Sequence, residues 1–135
     1  MTAADEGTGT GATPDRVLIV EDDERIASFL IKGLGANGFI VEWVQDGSAA
    51  IAAVEQGGIA AVLLDLGLPD VDGLDVLRGW SDAGCTVPVV VLTARSDPRD
   101  RETALSLGAV SYLTKPAPFR NVVAAIRAAT DIGRS

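Results

Sequence analysis

Short apolar runs alternate with helix-like segments along this chain, and this alternation restricts its fold more than any other feature. Three of the runs are aliphatic almost throughout, as is typical of parallel strands buried on both faces of a sheet. They are Val17–Val20, Ile59–Leu64 and Val87–Leu92. The run Phe39–Val44 is interrupted by Glu42, which predicts an edge strand or a less buried one, and Val110–Leu113 is a short fifth run.

The segments between the runs have the pattern of helices, because their apolar residues recur at helical spacing or because they are rich in alanine. We place the helices within residues 26–34, 48–54, 74–80, 98–108 and 119–126. Asp97 and Pro98 are typical of an N-cap and a first helical residue. Five strand–helix units in this order predict an α/β fold, a doubly wound parallel sheet with helices on both faces.

A single domain accounts for almost the whole chain, since 135 residues are within the usual size of one domain. Residues 1–14 contain three glycines and four threonines and, after the first methionine, no large aliphatic residue. This composition predicts a disordered leader. We expect the domain to extend over residues 15–131 and residues 132–135 to form a C-terminal tail.

The composition excludes several kinds of site. Lys and Arg number 11 against 19 Asp and Glu, a net charge of −8, and histidine is absent. The chain therefore offers no His-ligated zinc, Ser-His-Asp triad or His general base, and its acidity argues against direct DNA binding. Its one cysteine, Cys85, excludes an internal disulfide. No apolar run reaches the roughly 18 residues of a membrane span, and no secretory signal is recognisable, so we expect a cytoplasmic protein without membrane contact.

Polar side chains follow four of the predicted strands. Glu21 and Asp22 come directly after the first strand, Asp65 after the third, Thr93 after the fourth and Lys115 shortly after the fifth. In open α/β sheets, ligands bind beyond the carboxyl ends of the strands. Any one of these residues alone would be interpreted as a helix cap or a solvated loop charge. Their convergence at one edge of the sheet predicts a functional site there.

Four motifs, in this order, are similar to the receiver domain of bacterial two-component response regulators: VLIVEDDE, VLLDLGLPDVDGLDVL, VVVLTA and YLTKP. The similarity covers nearly all of residues 16–131. It implies a flavodoxin-like, five-stranded sheet of strand order 2-1-3-4-5. It also implies a phosphorelay protein that accepts a phosphoryl group from a sensor histidine kinase or a histidine phosphotransfer protein. Such a protein is not an enzyme in the ordinary sense, since its chemistry is limited to self-phosphorylation from phosphodonors and autodephosphorylation.

The same resemblance implies a phosphoacceptor and a metal site. The phosphoacceptor is Asp65, and the implied cofactor is Mg²⁺, with Mn²⁺ as an alternative. The implied ligands are the side chains of Asp22 and Asp65, the backbone carbonyl of Gly67 and, partly through water, Glu21. The charges agree with this assignment, because Lys115 and one divalent cation would balance the three carboxylates.

A switch and an output face complete the resemblance. It implies that Thr93 and Lys115 bind the phosphoryl group and that Tyr112 is the switch aromatic. A phosphoryl group on Asp65 adds negative charge and three strong acceptors, so Thr93 is expected to move and Tyr112 to turn. The fourth helix, fifth strand and fifth helix are then expected to bind a downstream protein or a second copy of the chain. The residues expected on this output face are Arg101, Leu105, Tyr112 and Arg120.

Three alternatives stay open at this point. The first is the receiver part of a longer DNA-binding transcriptional regulator. A magnesium-dependent phosphohydrolase is a weaker alternative, since that chemistry usually needs a second acid two residues after the nucleophile, where this chain has Gly67. A flavin or nucleotide binder on the same fold would need a phosphate-binding loop after the first strand. The chain instead has consecutive acids there, Glu21–Glu24.

Other conspicuous residues are interpreted as structural. Asp70 and Asp72 precede Gly73 in a turn and do not complete the spacing of a calcium-binding loop. Trp43 and Trp80 are interpreted as packing residues, because large aromatic side chains mostly serve to bury apolar surface.

Overall fold

Five parallel strands form the sheet of the computed structural model, which describes residues 14–134. In chain order they are β1 (Arg16–Val20), β2 (Ile40–Val44), β3 (Ala61–Leu64), β4 (Val89–Thr93) and β5 (Ser111–Thr114). They pair in the order β2-β1-β3-β4-β5. The predicted doubly wound sheet and its strand order 2-1-3-4-5 are thereby confirmed. The predicted leader lies, except for Pro14, outside the described residues.

A helix follows each strand, as the pattern predicts. The helices are α1 (Glu24–Ala36), α2 (Gly47–Glu55), α3 (Gly73–Asp82), α4 (Pro98–Ser106) and α5 (Phe119–Arg134). Each of the first four follows an aspartate whose carboxylate accepts a backbone N–H of the first turn, and these caps are Asp23, Asp46, Asp72 and Asp97. Such a cap stabilises a helix by about 1 kcal/mol. Among the described residues, no helix is both long and apolar enough to cross a bilayer.

Three of the strands, β2, β3 and β4, are shorter than the apolar runs that predict them. For example, β4 begins at Val89 although its apolar run begins at Val87. The intervening Pro88 has no N–H to donate to a ladder, and its carbonyl alone pairs, accepting the N–H of Val62 at 2.9 Å. Helix α5, by contrast, is longer than the pattern predicts, because it runs through residues 132–134, which were expected to form a tail.

The sheet buries side chains on both faces, with alternate residues of each strand on opposite sides. On β1, Leu18 and Val20 pack towards α2, α3 and α4, whereas Val17 and Ile19 pack towards α1 and α5. All four side chains are at most 1% exposed. The apolar interior is therefore divided by the sheet into two layers, and the polar residues are left to the loops at its edges.

Helices α1 and α5 approach closely at a glycine. A Cβ atom added to Gly33 would lie 2.3 Å from Cζ of Phe119, the first residue of α5. The ring of Phe119 also meets that of Phe29 edge-on, with 5.4 Å between the ring centroids. The absence of a side chain at Gly33 thus makes room for the ring that holds the N-terminus of α5 against α1.

Gly33→Ala is expected to lower the free energy of unfolding by about 1–3 kcal/mol, the usual cost of overpacking, because the new methyl group must displace Phe119. Gly35→Ala is the matched control on the same helix, since a Cβ there would have no described atom within 4 Å apart from its chain neighbours and the backbone of its own helix. The helix propensity of alanine should make that variant more stable by up to about 1 kcal/mol. Urea unfolding followed by circular dichroism measures both, and equal effects of the two substitutions would contradict the close contact.

Candidate functional site

The strand ends bring the predicted polar residues together at one edge of the sheet. Lys115, on the loop after β5, donates from Nζ to Oε1 of Glu21 at 2.8 Å and to Oδ2 of Asp65 at 2.9 Å. The Lys115, Glu21 and Asp65 side chains are 17%, 3% and 10% exposed. The peptide bond between Lys115 and Pro116 is cis. One partly buried ammonium group therefore joins the ends of β1, β3 and β5.

Burial and hydrogen bonding act in opposite directions on the two carboxylates. Burial, reinforced by the charge of Asp65, raises the pKa of Glu21 above its usual range. The hydrogen bonds that Glu21 accepts from Lys115 and from the N–H of Asp23 reduce this shift without reversing it. Burial also acts to raise the pKa of Asp65, but hydrogen bonds from Lys115 and the N–H of Gly67 outweigh it, and the pKa is lowered. The site therefore favours the ionised form of Asp65 and disfavours that of Glu21.

The acidic residues form a cluster of oxygens with the character of a cation site. One carboxylate oxygen each from Glu21, Asp22 and Asp65 lies within 4.8 Å of the others. Asp22 is exposed while the other two are buried, so the cluster opens to solvent on the Asp22 side. These three carboxylates face the single ammonium of Lys115, which leaves negative charge uncompensated. A hard divalent cation that prefers oxygen ligands, such as Mg²⁺, fits this cluster.

The loop after β3 folds back on the carboxylate of Asp65. The N–H of Gly67 donates to Oδ1 of Asp65 at 3.1 Å, and an antiparallel bridge pairs Gly67 with Asp72. A Cβ atom at Gly73 would lie 2.6 Å from Cα of Leu66 and 2.9 Å from the backbone oxygen of Asp65. Because both are backbone atoms, only glycine allows α3 to begin this close to the end of β3.

Two aspartates anchor this loop on opposite sides. Asp70 accepts hydrogen bonds from the N–H groups of Gly47 and Ser48, at 2.9 and 3.0 Å, at the N-terminus of α2. Asp72 caps α3 and also accepts a hydrogen bond at 3.0 Å from the guanidinium of Arg95, which follows β4. The sequence predicts Asp70 and Asp72 as turn residues, and turn chemistry alone gives no indication of these distant partners.

The predicted hydroxyl and switch residues meet at the backbone of Arg95. Thr93 is 1% exposed, and its Oγ1 accepts the N–H of Arg95 at 3.3 Å. The hydroxyl of Tyr112 donates to the carbonyl of Arg95 at 2.9 Å. Since the guanidinium of Arg95 pairs with Asp72, this one residue connects β4, β5 and the loop after β3.

The residues predicted for the output face lie on α4, β5 and α5. Arg101 and Arg120 are exposed, Tyr112 is half-buried, and Leu105 is 38% exposed. Leu105 points away from the sheet because its neighbour Ala104, which is fully buried, packs against the sheet. The acidic cluster, by contrast, is carried by the loops at the strand ends.

One residue beside the site is not identified by the sequence pattern. Trp43 of β2, interpreted as a packing residue, donates its indole Nε1–H to the backbone carbonyl of Glu21 at 2.8 Å. Only the strand register could have indicated this contact, because Trp43 pairs with Ile19, two residues before Glu21. Trp80 of α3 is buried, as interpreted, and its Nε1 has no hydrogen-bond partner among the described residues.

Comparison with known proteins gives one consistent family. The family model for the response regulator receiver domain matches residues 17–127. The transcriptional regulatory protein QseB of Haemophilus influenzae is 42% identical over 113 residues, 84% of this chain and 51% of that protein. The response regulator protein PmrA of Pseudomonas aeruginosa is 42% identical over 115 residues, 85% of this chain and 52% of that protein. The chain thus spans about half the length of these curated relatives.

Solved structures show the same fold. A CheY-like response regulator receiver domain protein from Methanospirillum hungatei matches with a TM-score of 0.84 at 25% identity, over 90% of this chain and 97% of that one. A sensor protein from Polaromonas matches with a TM-score of 0.80 at 30% identity, over 88% of this chain and 98% of that one. The described fold is therefore that of these chains along nearly their whole length.

Lys115→Met is expected to lower the free energy of unfolding at pH 8 by about 3–5 kcal/mol, the cost of leaving buried carboxylates without their cation. Without the ammonium, the folded-state pKa values of Glu21 and Asp65 should both lie above their unfolded values. A raised folded-state pKa makes the ionised carboxylate destabilising, so the loss should grow from pH 5 to pH 8. Added Mg²⁺ should recover more stability in this variant than in the wild type.

The matched control is Lys32→Met, because Lys32, the chain's other lysine, is exposed on α1. It should change the free energy of unfolding by no more than about 0.5 kcal/mol. Urea unfolding at several pH values, first in EDTA and then in Mg²⁺, measures both variants. A loss in Lys115→Met that is the same at pH 5 and pH 8 would show that the carboxylates are not coupled to the lysine.

Proposed function

This chain belongs to the response regulator receiver domain family and so takes part in phosphorelay signalling, and on that premise we propose that Asp65 accepts the phosphoryl group. The observation that carries the proposal is the lowered pKa of the Asp65 carboxylate. Asp65 directly follows β3, the central strand, and hydrogen bonds from Lys115 and from the N–H of Gly67 keep its pKa low. Phosphoryl transfer to a carboxylate requires an ionised, oriented oxygen as the nucleophile.

The proposed donor is a phosphohistidine of a sensor histidine kinase or of a histidine phosphotransfer protein. An oxygen of Asp65 bonds to phosphorus as the phosphorus–nitrogen bond breaks, and the electron pair of that bond stays on the donor's imidazole. Asp65 releases no proton, because it is already ionised. Lys115 lies against the acceptor, where its charge offsets that of the transferring oxygens. The same arrangement supports self-phosphorylation from acetyl phosphate and autodephosphorylation by water, although receiver domains are signalling proteins and not enzymes in the ordinary sense.

The acidic cluster is proposed to hold Mg²⁺, or Mn²⁺ as an alternative, beside this carboxylate. The proposed ligands are the side chains of Asp22 and Asp65 and the backbone carbonyl of Gly67. Glu21 is proposed to act partly through water, as the family resemblance implies, while its two carboxylate oxygens accept hydrogen bonds from Lys115 and from the N–H of Asp23. When bound, the cation supplies positive charge to the phosphoryl oxygens.

The phosphorylated state is proposed to act through Thr93 and Tyr112. A phosphoryl group on Asp65 adds three strong acceptors near the buried hydroxyl of Thr93. Turning Thr93 towards those oxygens would break its bond with the N–H of Arg95, the residue whose carbonyl holds Tyr112. The face of α4, β5 and α5 would change as Tyr112 is released, and a downstream protein or a second copy would bind there. To shift the ratio of active to inactive molecules from 1:99 to 99:1, phosphorylation must stabilise the active state relative to the inactive one by about 5.5 kcal/mol.

A second candidate function is that of the receiver part of a transcriptional regulator. QseB and other relatives are named transcriptional regulatory proteins, and this chain matches about half of each. Phosphorylation would then control an output made by another part of such a protein. We propose that this chain does not itself bind DNA, because its net charge is −8.

Asp65→Asn should reduce labelling by radioactive acetyl phosphate in Mg²⁺ to background, because the amide cannot act as the nucleophile. The matched control is Asp75→Asn, an exposed carboxylate in the first turn of α3, which should be labelled as the wild type is. Hydroxylamine, which cleaves acyl phosphates, should remove the label from the wild type and from the control. A hydroxylamine-sensitive label on Asp65→Asn would refute the assignment.

Thr93→Ala should be labelled by acetyl phosphate nearly as well as the wild type. Its α4 and β5 should change conformation less on phosphorylation, because the hydroxyl proposed to contact the phosphoryl group is gone. Amide resonances of α4 and β5, recorded by NMR before and after phosphorylation, should shift by less than half as much as in the wild type. Thr86→Ala, at an exposed threonine before β4, serves as the control. Shifts of wild-type size in Thr93→Ala would show that its hydroxyl is not the link.

A further inference from the structure

The indole of Trp43 reaches from the edge strand of the sheet to the start of the acidic cluster. Trp43 is half-buried on β2 and packs with the apolar layer beneath α1 and α5. Its Nε1–H donates to the backbone carbonyl of Glu21 at 2.8 Å. This contact joins a strand that supplies none of the clustered carboxylates to the first residue of the cluster.

The indole takes the place of a missing strand donor. Pairing between β1 and β2 ends at Val20 and Val44, and the N–H of Glu21 still reaches the carbonyl of Val44 at 3.1 Å. Beyond that bond, β2 has ended, and it is the indole of Trp43 that meets the carbonyl of Glu21. Because Glu21 is only 2% exposed, a lost hydrogen bond there would not be readily replaced by solvent.

Every polar group of Glu21 is thereby held in place. Its N–H pairs with Val44 and its carbonyl with Trp43, while its carboxylate oxygens accept from Lys115 and from the N–H of Asp23. A peptide unit is planar, so the direction of the Glu21 carbonyl also sets the direction of the N–H that follows it. The bond from the indole therefore fixes the peptide plane from which the next carboxylate, that of Asp22, departs.

We propose that Trp43 is a positioning residue for the cation-binding cluster. Its hydrogen bond holds the peptide between Glu21 and Asp22 so that the exposed Asp22 carboxylate stays beside that of Asp65. Asp22 is the member of the cluster that burial does not constrain, and it therefore depends most on the backbone that carries it. The proposal rests on the proposed function for the identity of the cation, Mg²⁺.

The chain contains a matched control for this hydrogen bond. Trp80 has its Nε1 buried without a partner among the described residues. Trp43→Phe and Trp80→Phe remove the same N–H group and keep an aromatic ring, but within residues 14–134 only Trp43→Phe removes a hydrogen bond. A difference between the two variants in cation binding therefore reports on the bond to Glu21 rather than on the loss of an indole.

The test measures Mg²⁺ affinity by isothermal titration calorimetry and labelling of Asp65 by acetyl phosphate as a function of Mg²⁺ concentration. Trp43→Phe should raise the Kd for Mg²⁺ by about three- to tenfold, the range that corresponds to one hydrogen bond. Its labelling at saturating Mg²⁺ should stay within about twofold of the wild type, because the acceptor and Lys115 are untouched. Trp80→Phe should leave the Kd unchanged. An unchanged Kd in Trp43→Phe would overturn the proposal.

A second measurement uses the wild type alone and so does not depend on either variant folding. The indole N–H resonance of Trp43 should shift during a Mg²⁺ titration with the same midpoint as the amide of Asp22, while that of Trp80 stays fixed. A Trp43 resonance that does not respond would contradict the proposal. If the wild type binds no Mg²⁺ and is not labelled, the proposed function fails instead. In that case the positioning role of Trp43 is tested by the NMR resonances of the Asp22 and Asp23 amides without Mg²⁺. Trp43→Phe must shift these resonances and Trp80→Phe must not.

Discussion

The rest of the site depends on the ion pairs that the ammonium group of Lys115 forms with Glu21 and Asp65. The ammonium contacts Glu21 and Asp65 at 2.8 and 2.9 Å and so allows carboxylates from two adjacent strands to be largely buried at the same edge. Without such a partner, burying the two carboxylates would cost several kcal/mol of desolvation free energy, and this cost would oppose the close approach of the strand ends. The compensation is unequal, since the pKa of Asp65 falls while that of Glu21 rises. Two carboxylates that share one lysine therefore differ, because the ionised form is favoured at Asp65 and disfavoured at Glu21.

The architecture and the polar edge can be predicted from the sequence, because buried parallel strands are continuous apolar runs and right-handed crossovers place helices on both faces. The same topology brings Lys115 to Glu21 although 94 positions separate them along the chain. Hydrogen bonds to particular atoms are beyond this reasoning. Periodicity indicates which side of a strand is buried, but not which polar atom the ring of Trp43 meets there. Turn chemistry explains why Asp72 caps a helix, but not that Arg95 lies within reach of it.

Weak contacts connect the loop after β3 to the surface of α4 and β5. The pair between Arg95 and Asp72 is formed by side chains that are 32% and 40% exposed, and pairs of this kind contribute only about 0–1 kcal/mol. Thr93 and Tyr112 each add one hydrogen bond to the backbone of Arg95. These contacts therefore hold one arrangement of the loops at a small cost in free energy, and the proposed phosphorylation of Asp65 would have only weak interactions to replace.

The close contact at Gly73 restricts how this site can diverge. Any side chain there would meet the backbone of Leu66 and of Asp65, at 2.6 and 2.9 Å from Cβ, and would displace Asp65. Gly67 is different, because among the described residues other than its chain neighbours a Cβ atom there would meet only Oδ1 of Asp65, at 3.9 Å. Descendants of this sequence can therefore acquire new side chains beside the carboxylate at position 67 while the strand beneath it keeps its place. At position 73 a new side chain would move the Asp65 carboxylate itself. The loop after β3 therefore has room for a side chain at position 67 but not at position 73.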